Sequence, residues 1–418
     1  MAGNDVISRE RAKHMDGSDP LAAFRDRFVI EDPGTIYLDG NSLGRLPVAT
    51  RERLGLVMGQ WGSQLVQAWH EWIDLPDRVG DELAVGALGA RPGEVIVSDS
   101  TSVNLYKLAT AALEAADGTA IVTDRENFSS DRYILDGVAQ AAGGELRLID
   151  SDPVEGPQPQ DIARALEAGD VGLVSFSHVA YYSGALADME AITRKSGVPV
   201  LWDLSHSVGA VPIELEEWGV ELAVGCTYKY LNAGPGSPAF LYIRRELQDR
   251  LRNPIRGWFG QRNQFDMEAV YDPEPGVRGF LVGTPPILDL IAVRVGAELV
   301  RDAGIASLRK KAVALTEMIV DLYDAWLEPL GFELASPRDA ERRGAHVTLH
   351  HEDAWAINRA LIERARVIPD FREPNSIRLG VPPLYTRGVD VWDAMDRLRD
   401  LVERGEHREV DPARTRVT

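Results

Sequence analysis

One cysteine, Cys226, stands in 418 residues. An intrachain disulfide is therefore impossible, and a cysteine-built metal cage lacks its ligands. No run reaches 18 apolar residues, so no membrane span is expected. Positive charge is scarce: 45 Lys+Arg face 65 Asp+Glu, a formal net charge of −20. That balance disfavours nucleic acid or an anionic membrane surface as a partner. There is no Walker A motif and no G-x-G-x-x-G, hence no ready-made cradle for a nucleotide. Repeats and low-complexity tracts are absent too. The opening stretch MAGNDVISRERAKHMDGSDP has no apolar centre and does not read as a secretory signal. Residues 1–35 read as a loosely held polar arm and 406–418 as a polar tail. The expected compartment is the cytoplasm.

What is present is ordinary globular composition, 44% hydrophobic and 26% charged, arranged in a telling order. Seven short apolar runs, EVIVSDS, TAIVTD, ELRLID, VGLVSFSHV, VPVLWDLSHS, LAVGCTYKY and AFLYI, alternate with helical periods such as VNLYKLATAAL and DIARALEAG. Val/Ile/Leu runs interleaved with helices predict an α/β fold with a mostly parallel seven-stranded sheet covered on both faces. After Pro285-Pro286 come long helices, a strand (AHVTLHH), a helix, an extended piece (SIRLGV) and a last helix with Val391, Met395, Leu398 and Leu401 on one face. The expected division is a large domain over 36–290 and a smaller α+β domain over 291–405.

In open sheets of this kind ligands bind beyond the carboxyl ends of the strands. Several runs end in polar groups there: Ser100-Thr101-Ser102, Ser177-His178, Asp203 with His206, and Tyr228-Lys229. Lys229 lies between two tyrosines after an apolar strand and before Gly234-Pro235-Gly236. A desolvated lysine loses its proton more easily and becomes a nucleophile. Asp203, 26 residues earlier, stands at a strand end and is able to pair with a protonated ring nitrogen, as pyridoxal phosphate requires; the other reading is an Asp paired with a core arginine or capping the next helix. Ser102 is a good N-cap, and a helix N-terminus with two hydroxyls also suits a phosphate. Phe128, in ENFSSD, either stacks on a flat ring or fills core. His206 either bonds a ligand or is a satisfied core histidine. His346, His350 and His351 in HVTLHH invite a metal, but no further ligand cluster accompanies them. One ligand would use all the first signals together: amine, carboxylate, helix N-terminus and aromatic face.

These residues carry a resemblance. In order and spacing, YLDGNSLG (37 to 44), Thr101-Ser102, FSSD (128 to 131), WDLSHSVGAVP, CTYKYLNAGPGSPAF, GWFG (257 to 260), GTPPI (283 to 287) and IRLGVPPLY (377 to 385) resemble kynureninase, a pyridoxal-phosphate hydrolase family of the aspartate-aminotransferase fold type. The resemblance spans about Ile36 to Trp392. It implies that Lys229 carries the cofactor as a Schiff base and moves protons, with Tyr228 touching the phosphate and serving in proton transfer. It implies Thr101 and Ser102 on the phosphate, Phe128 on the ring face, Asp203 on the ring nitrogen, and Ser129, Ser130, Asp131 and His206 lining the cofactor. Trp258 and Thr284 would come from a neighbouring subunit, which implies a homodimer. Arg378 would grip the substrate α-carboxylate, and its removal is expected to weaken substrate binding with the fold intact. Trp69, Gln261, Asn41 and Ser42 would meet the substrate. No metal is implied.

The implied reaction is cleavage of the Cβ–Cγ bond of L-kynurenine to anthranilate and L-alanine, a step of tryptophan catabolism and NAD biosynthesis. Family members carry histidine after GWFG, where this chain has Gln261. A relative acting on a ring-substituted kynurenine is the alternative. Trp69 and Thr284 match members that prefer plain kynurenine, since a tryptophan offers a ring hydroxyl only an apolar wall. A desulfurase of the same fold would need a mobile, exposed thiol, which Cys226 in its apolar strand is not. An aminotransferase or a non-catalytic dimeric scaffold are the remaining alternatives.

Overall fold

The computed structural model describes residues 8–411; the outermost parts of the expected arm and tail, 1–7 and 412–418, lie outside them. The seven apolar runs form one sheet: β1 (Val95–Val97), β2 (Ala120–Asp124), β3 (Leu146–Ile149), β4 (Val171–Ser177), β5 (Val200–Asp203), β6 (Leu222–Gly225) and β7 (Phe240–Ile243). The spatial order is β1-β7-β6-β5-β4-β2-β3. Neighbours from β6 to β3 are parallel; β7 runs antiparallel to both β6 and β1. Two reversals leave β1 pointing with the parallel strands, so the ends of β1, β2, β4, β5 and β6 open on one side.

Strand pleating sends successive side chains to opposite faces, and both faces are apolar. Val95, Val97, Val122, Trp202, Phe240 and Tyr242 enter one core layer, with the helices Leu75–Ala87 and Ile287–Ala303. Ile96, Ile121, Leu201, Leu222 and Leu241 enter the other, with Leu105 and Leu108 of the helix Thr101–Glu114. This is the α/β architecture the alternating runs predict.

A second cluster sits on a four-stranded antiparallel sheet, β8 (Glu333–Leu334), β9 (His346–His350), β10 (Asp370–Arg372) and β11 (Ser376–Gly380), ordered β10-β11-β9-β8. The last helix, Gly388–Glu403, buries Val391, Met395, Leu398 and Leu401 there.

Three placements differ from the expected division. The line at 290 falls inside the helix Ile287–Ala303, whose buried face belongs to the large sheet's core. Ile36 and Leu38 pack in the second cluster, and Ile36–Tyr37 pairs in parallel with Val367–Ile368. The arm is not loose from Arg9 on. Arg9–Gly17 is a helix capped by the Ser8 side chain, with Ala12 buried; Arg9 Nε meets Asp393 at 2.6 Å and Asp16 Oδ2 accepts from the Val389 N–H at 3.0 Å. Its polarity is that of a helix docked by one small residue and several charges. Likewise His407, in the expected tail, is buried. Among the described residues no helix is long and apolar enough to cross a membrane.

Candidate active site

A cavity of about 160 Å³ opens where the strand ends meet. Thr101, Ser102, Phe128, Ser130, Asp131, Asp203, His206, Tyr228 and Lys229 all line it. These nine come from four separate chain segments, and each is legible as a polar or aromatic residue past the end of a strand. Ser129 begins the helix Ser129–Ala141 beside them without lining the space.

Lys229 follows β6 by four residues. The chain then turns through Asn232, Gly234 and Gly236, all at positive φ (56°, 94° and 76°), a region glycine enters without steric cost. The YLDGNSLG segment is drawn onto this turn: the Gly44 N–H donates to the Tyr228 carbonyl at 2.8 Å. A Cβ on Gly44 would stand 2.3 Å from the Lys229 carbonyl oxygen, so only glycine permits the approach. Lys229 Nζ lies 3.4 Å from His206 Nδ1 and 5.8 Å from the Tyr228 ring centre. His206 is buried, and burial together with the Lys229 cation holds its pKa well below the usual histidine range. It is therefore a neutral ring.

Asp203 ends β5, and its Oδ1 accepts from the Ser205 N–H at 2.7 Å. Asp131 lies beside it, 3% exposed, with Oδ2 buried and unpartnered. Burial and the Asp203 charge push the Asp131 carboxyl well above the usual range. Two adjacent carboxyls cannot both ionise cheaply, so the pair holds a proton and presents an unmet acceptor to the cavity. Ser102 Oγ and Ser130 Oγ are 2.9 Å apart. Ser100 caps the helix by accepting from Val103 N–H, while Thr101 and Ser102 sit on its first turn, where N–H groups have no helical acceptor. Phe128 meets Tyr181 edge to face at 5.2 Å. Asn127 sets that aromatic, its Oδ1 accepting from the Phe128 N–H (2.9 Å) and the Ser177 hydroxyl (2.8 Å).

Sequence reasoning missed Tyr181, Ser205 and Ser237, which also line the cavity. Ser177-His178 reads as a polar strand end, and Tyr181 lies three residues beyond it. His178 itself points away, packed edge-on against Trp202 and Trp218, and burial drives its pKa down to about 3.

Arg378 is not a free clamp. It is 1% exposed. Nε donates to Asp370 at 2.5 Å, Nη1 to the Tyr181 carbonyl at 2.6 Å and Nη2 to Ser42 Oγ at 3.1 Å. Asp370 also accepts from Arg372 Nε at 3.0 Å. Close by, burial and the Asp370 charge push Asp39 up to about 6. Asn41 is fully buried with both amide atoms unpartnered, packed against Gly380.

Like Ser129, Arg378, Asn41 and Ser42, the expected residues Trp258, Thr284, Trp69 and Gln261 do not line the cavity. Trp258 is 40% exposed and meets Phe259 and Phe265 edge-on. Thr284 is exposed. Trp69 lies 6.1 Å from Phe259, ring to ring. The Gln261 side-chain oxygen is engaged by the Asp272 N–H at 2.8 Å. His346 and His350 form no metal site: no group of three or more His, Cys, Asp or Glu among the described residues is arranged to hold an ion.

A family model described as the kynureninase C-terminal domain matches residues 308–398. A kynureninase of Pseudomonas fluorescens is 41% identical over 412 residues, 96% of this chain and 96% of that protein. One of Burkholderia pseudomallei (strain K96243) is 41% identical over 409 residues, 95% of this chain and 96% of that one. Among solved structures, an apo cysteine desulfurase of Thermococcus onnurineus NA1 superposes with a TM-score of 0.75 at 18% identity, covering 94% of this chain and 98% of that one. A variant of C-DES with glycine covalently linked to its PLP cofactor gives 0.77 at 18% identity, over 90% and 99%. An alanine–glyoxylate aminotransferase of Nostoc sp. gives 0.69 at 20%, over 89% and 96%. At such identities the structures speak for the fold alone.

Proposed function

The chain belongs to the kynureninase family, and from that membership we propose that it hydrolyses L-kynurenine to anthranilate and L-alanine with pyridoxal phosphate held at Lys229. The observation that carries the reading is the meeting of Lys229, the Asp131–Asp203 pair and the Thr101–Ser102 helix start in one cavity. The residues fit the cofactor. An unpartnered, buried Asp131 oxygen stands beside Asp203 where a protonated ring nitrogen would find its counter-charge, and a helix N-terminus favours a phosphate dianion.

Pyridoxal phosphate, when bound, supplies an aldehyde that captures an amine and a ring that withdraws electrons from the substrate Cα. Every other task belongs to the chain. Thr101, Ser102 and Tyr228 would hold the phosphate, with Ser130 and the neutral His206 beside the cofactor. Phe128 would cover the ring face, and Asp203 would keep the ring nitrogen protonated. Lys229 Nζ takes the Cα proton and later returns one. The Tyr228 hydroxyl relays a proton near the side-chain carbonyl, to which water adds. The oxygen of that water leaves in the anthranilate carboxylate, and the methyl group of alanine gains the hydrogen. Arg378, held in plane by Asp370, grips the α-carboxylate, with Ser42 and Asn41 nearby.

The reading includes a homodimer in which Trp258 and Thr284 serve the neighbouring subunit's site. Their exposure supports it, as does the apolar stretch that follows Trp258: Phe265, whose ring meets Trp258 at 5.9 Å, and Met267 and Val270 further along the chain are each more than half exposed, unusual for a segment that faces water alone. The single buried cysteine supports a reducing, cytoplasmic setting. Plain L-kynurenine is the proposed substrate, with Trp69 as an apolar wall near the GWFG segment. The test is product analysis after incubation with pyridoxal phosphate and a panel of kynurenine and ring-substituted kynurenines. Anthranilate and alanine in equal amounts are expected. A keto acid without alanine would make the protein an aminotransferase, and turnover of a substituted kynurenine alone would move the substrate assignment.

A further inference from the structure

Lys107 is a fully buried lysine that the reaction does not use. It lies on the helix Thr101–Glu114, six residues after Thr101. Its ammonium donates to Asp99 Oδ2 at 2.8 Å, to the Phe280 carbonyl at 2.8 Å and to Ser98 Oγ at 3.4 Å. The three protons of a lysine head are thereby matched by three acceptors.

Two of those acceptors flank the helix start. Asp99 stands directly before Ser100-Thr101-Ser102, in the left-handed region at φ +51°, and its carbonyl accepts from the Ala239 N–H at 2.8 Å. A carboxylate beside an anion site repels the anion unless a cation answers it. The third acceptor, Phe280, ends the turn Gly276–Phe280. From there the chain runs to Val282, whose carbonyl accepts from the Phe259 N–H at 3.2 Å, and on to Thr284. One buried ammonium thus touches both the start of the phosphate helix and the segment bearing the exposed residues.

We propose that Lys107 is a positioning residue for the anion turn: its charge cancels the Asp99 carboxylate and its hydrogen bonds fix that turn to the 276–284 segment. The proposal rests on the reading of Thr101–Ser102 as the phosphate site. It adds that the turn's affinity for phosphate is set by a charge pair behind it.

The experiment titrates the full-length apo protein with pyridoxal phosphate and with unphosphorylated pyridoxal, following tryptophan fluorescence, and with inorganic phosphate as competitor. Lys107→Met should weaken pyridoxal phosphate and phosphate by about tenfold or more while pyridoxal shifts by less than about twofold. Asp99→Asn, which leaves the cation, should tighten phosphate several-fold. The Asp99→Asn/Lys107→Met pair should return to within about threefold of the parent, and Lys107→Arg should stay near it. Equal weakening of pyridoxal and pyridoxal phosphate in Lys107→Met would overturn the proposal, because a merely structural role moves both. If Lys107→Met does not fold, Asp99→Asn decides: no gain in phosphate affinity overturns it. Ser102→Ala separates the two readings. If its ratio of pyridoxal phosphate to pyridoxal affinity is unchanged, the phosphate-site reading falls and the proposal with it. If that ratio drops while the Lys107 and Asp99 variants leave theirs unchanged, only the role of Lys107 is overturned.

Discussion

The cavity at the strand ends and the face bearing Trp258 differ in almost every physical respect. In the cavity, Asp131, His206 and Asp203 are nearly sealed from water, and their partners belong to the same chain. On the Trp258 face, Phe265, Met267 and Val270 stand out into solvent, and Gln261 is turned back onto its own loop. The first region is built to hold charge where water cannot screen it. The second has the composition of a surface awaiting cover. The proposed homodimer would join the two, setting the exposed face of one copy against the cavity of the other.

The largest effect expected on this contrast is at Lys229. Lys229→Ala should retain pyridoxal phosphate, by absorbance, yet lose turnover by several orders of magnitude, because the same amine serves in capture and proton transfer. Borohydride reduction of the parent followed by peptide mapping should label Lys229; a label elsewhere removes the assignment.

Next comes Arg378. Because it is buried against Asp370, Arg378→Ala should not leave the fold untouched. It strands a buried carboxylate, a change worth about 3 to 5 kcal/mol, tempered here by Arg372. Urea unfolding should register that loss, and kcat/KM should drop by roughly a hundredfold or more. Arg378→Ala/Asp370→Asn should recover most of the stability and none of the activity. Recovery of activity would mean that another residue holds the carboxylate.

The sealed region also predicts an acid sensitivity. His178, His206 and His346 are buried and neutral, with pKa values held low by burial. Unfolded, such rings titrate near 6.5. Below that pH the unfolded chain takes up protons the folded chain cannot, so stability falls as pH falls and is unaffected above it. Each ring adds up to about 1.4 kcal/mol per pH unit. Urea midpoints of the apo protein from pH 7.5 to 5 should show the slope, and His178→Leu should flatten it by about a third.

The smallest effects belong to the exposed face. L-kynurenine should exceed 3-hydroxy-L-kynurenine by about tenfold or more in kcat/KM. Gln261→His should change KM by less than about tenfold, since the glutamine oxygen already has a partner on Asp272. Reversed preference would sharpen the alternative of a substituted substrate.

The same contrast explains what was legible in the sequence. Strand ends announce themselves: an apolar run stops and a polar residue follows, so Lys229, Asp203 and Thr101-Ser102 could be read in one dimension. The Asp370–Arg378 pair is equally near in sequence, yet its burial depends on β10 folding back on β11 and on Tyr181 arriving from the large sheet. No local pattern carries that. The helix Arg9–Gly17 read as a loose arm because it docks through one alanine and several charges, a signature too thin for periodicity. Trp258 and Thr284 were placed by resemblance alone, for the pattern of a single chain holds no sign of a neighbour.

The most direct test of a site shared between two copies is complementation. Lys229→Ala and Trp258→Ala proteins, each defective alone, are unfolded together, refolded and assayed with L-kynurenine. In a mixed dimer one site pairs an intact Lys229 with an intact Trp258 from the other chain, so activity should reappear well above the sum of the separate proteins. Mixed dimers that form, as shown by differently tagged chains, yet stay as inactive as their parents would contradict the account.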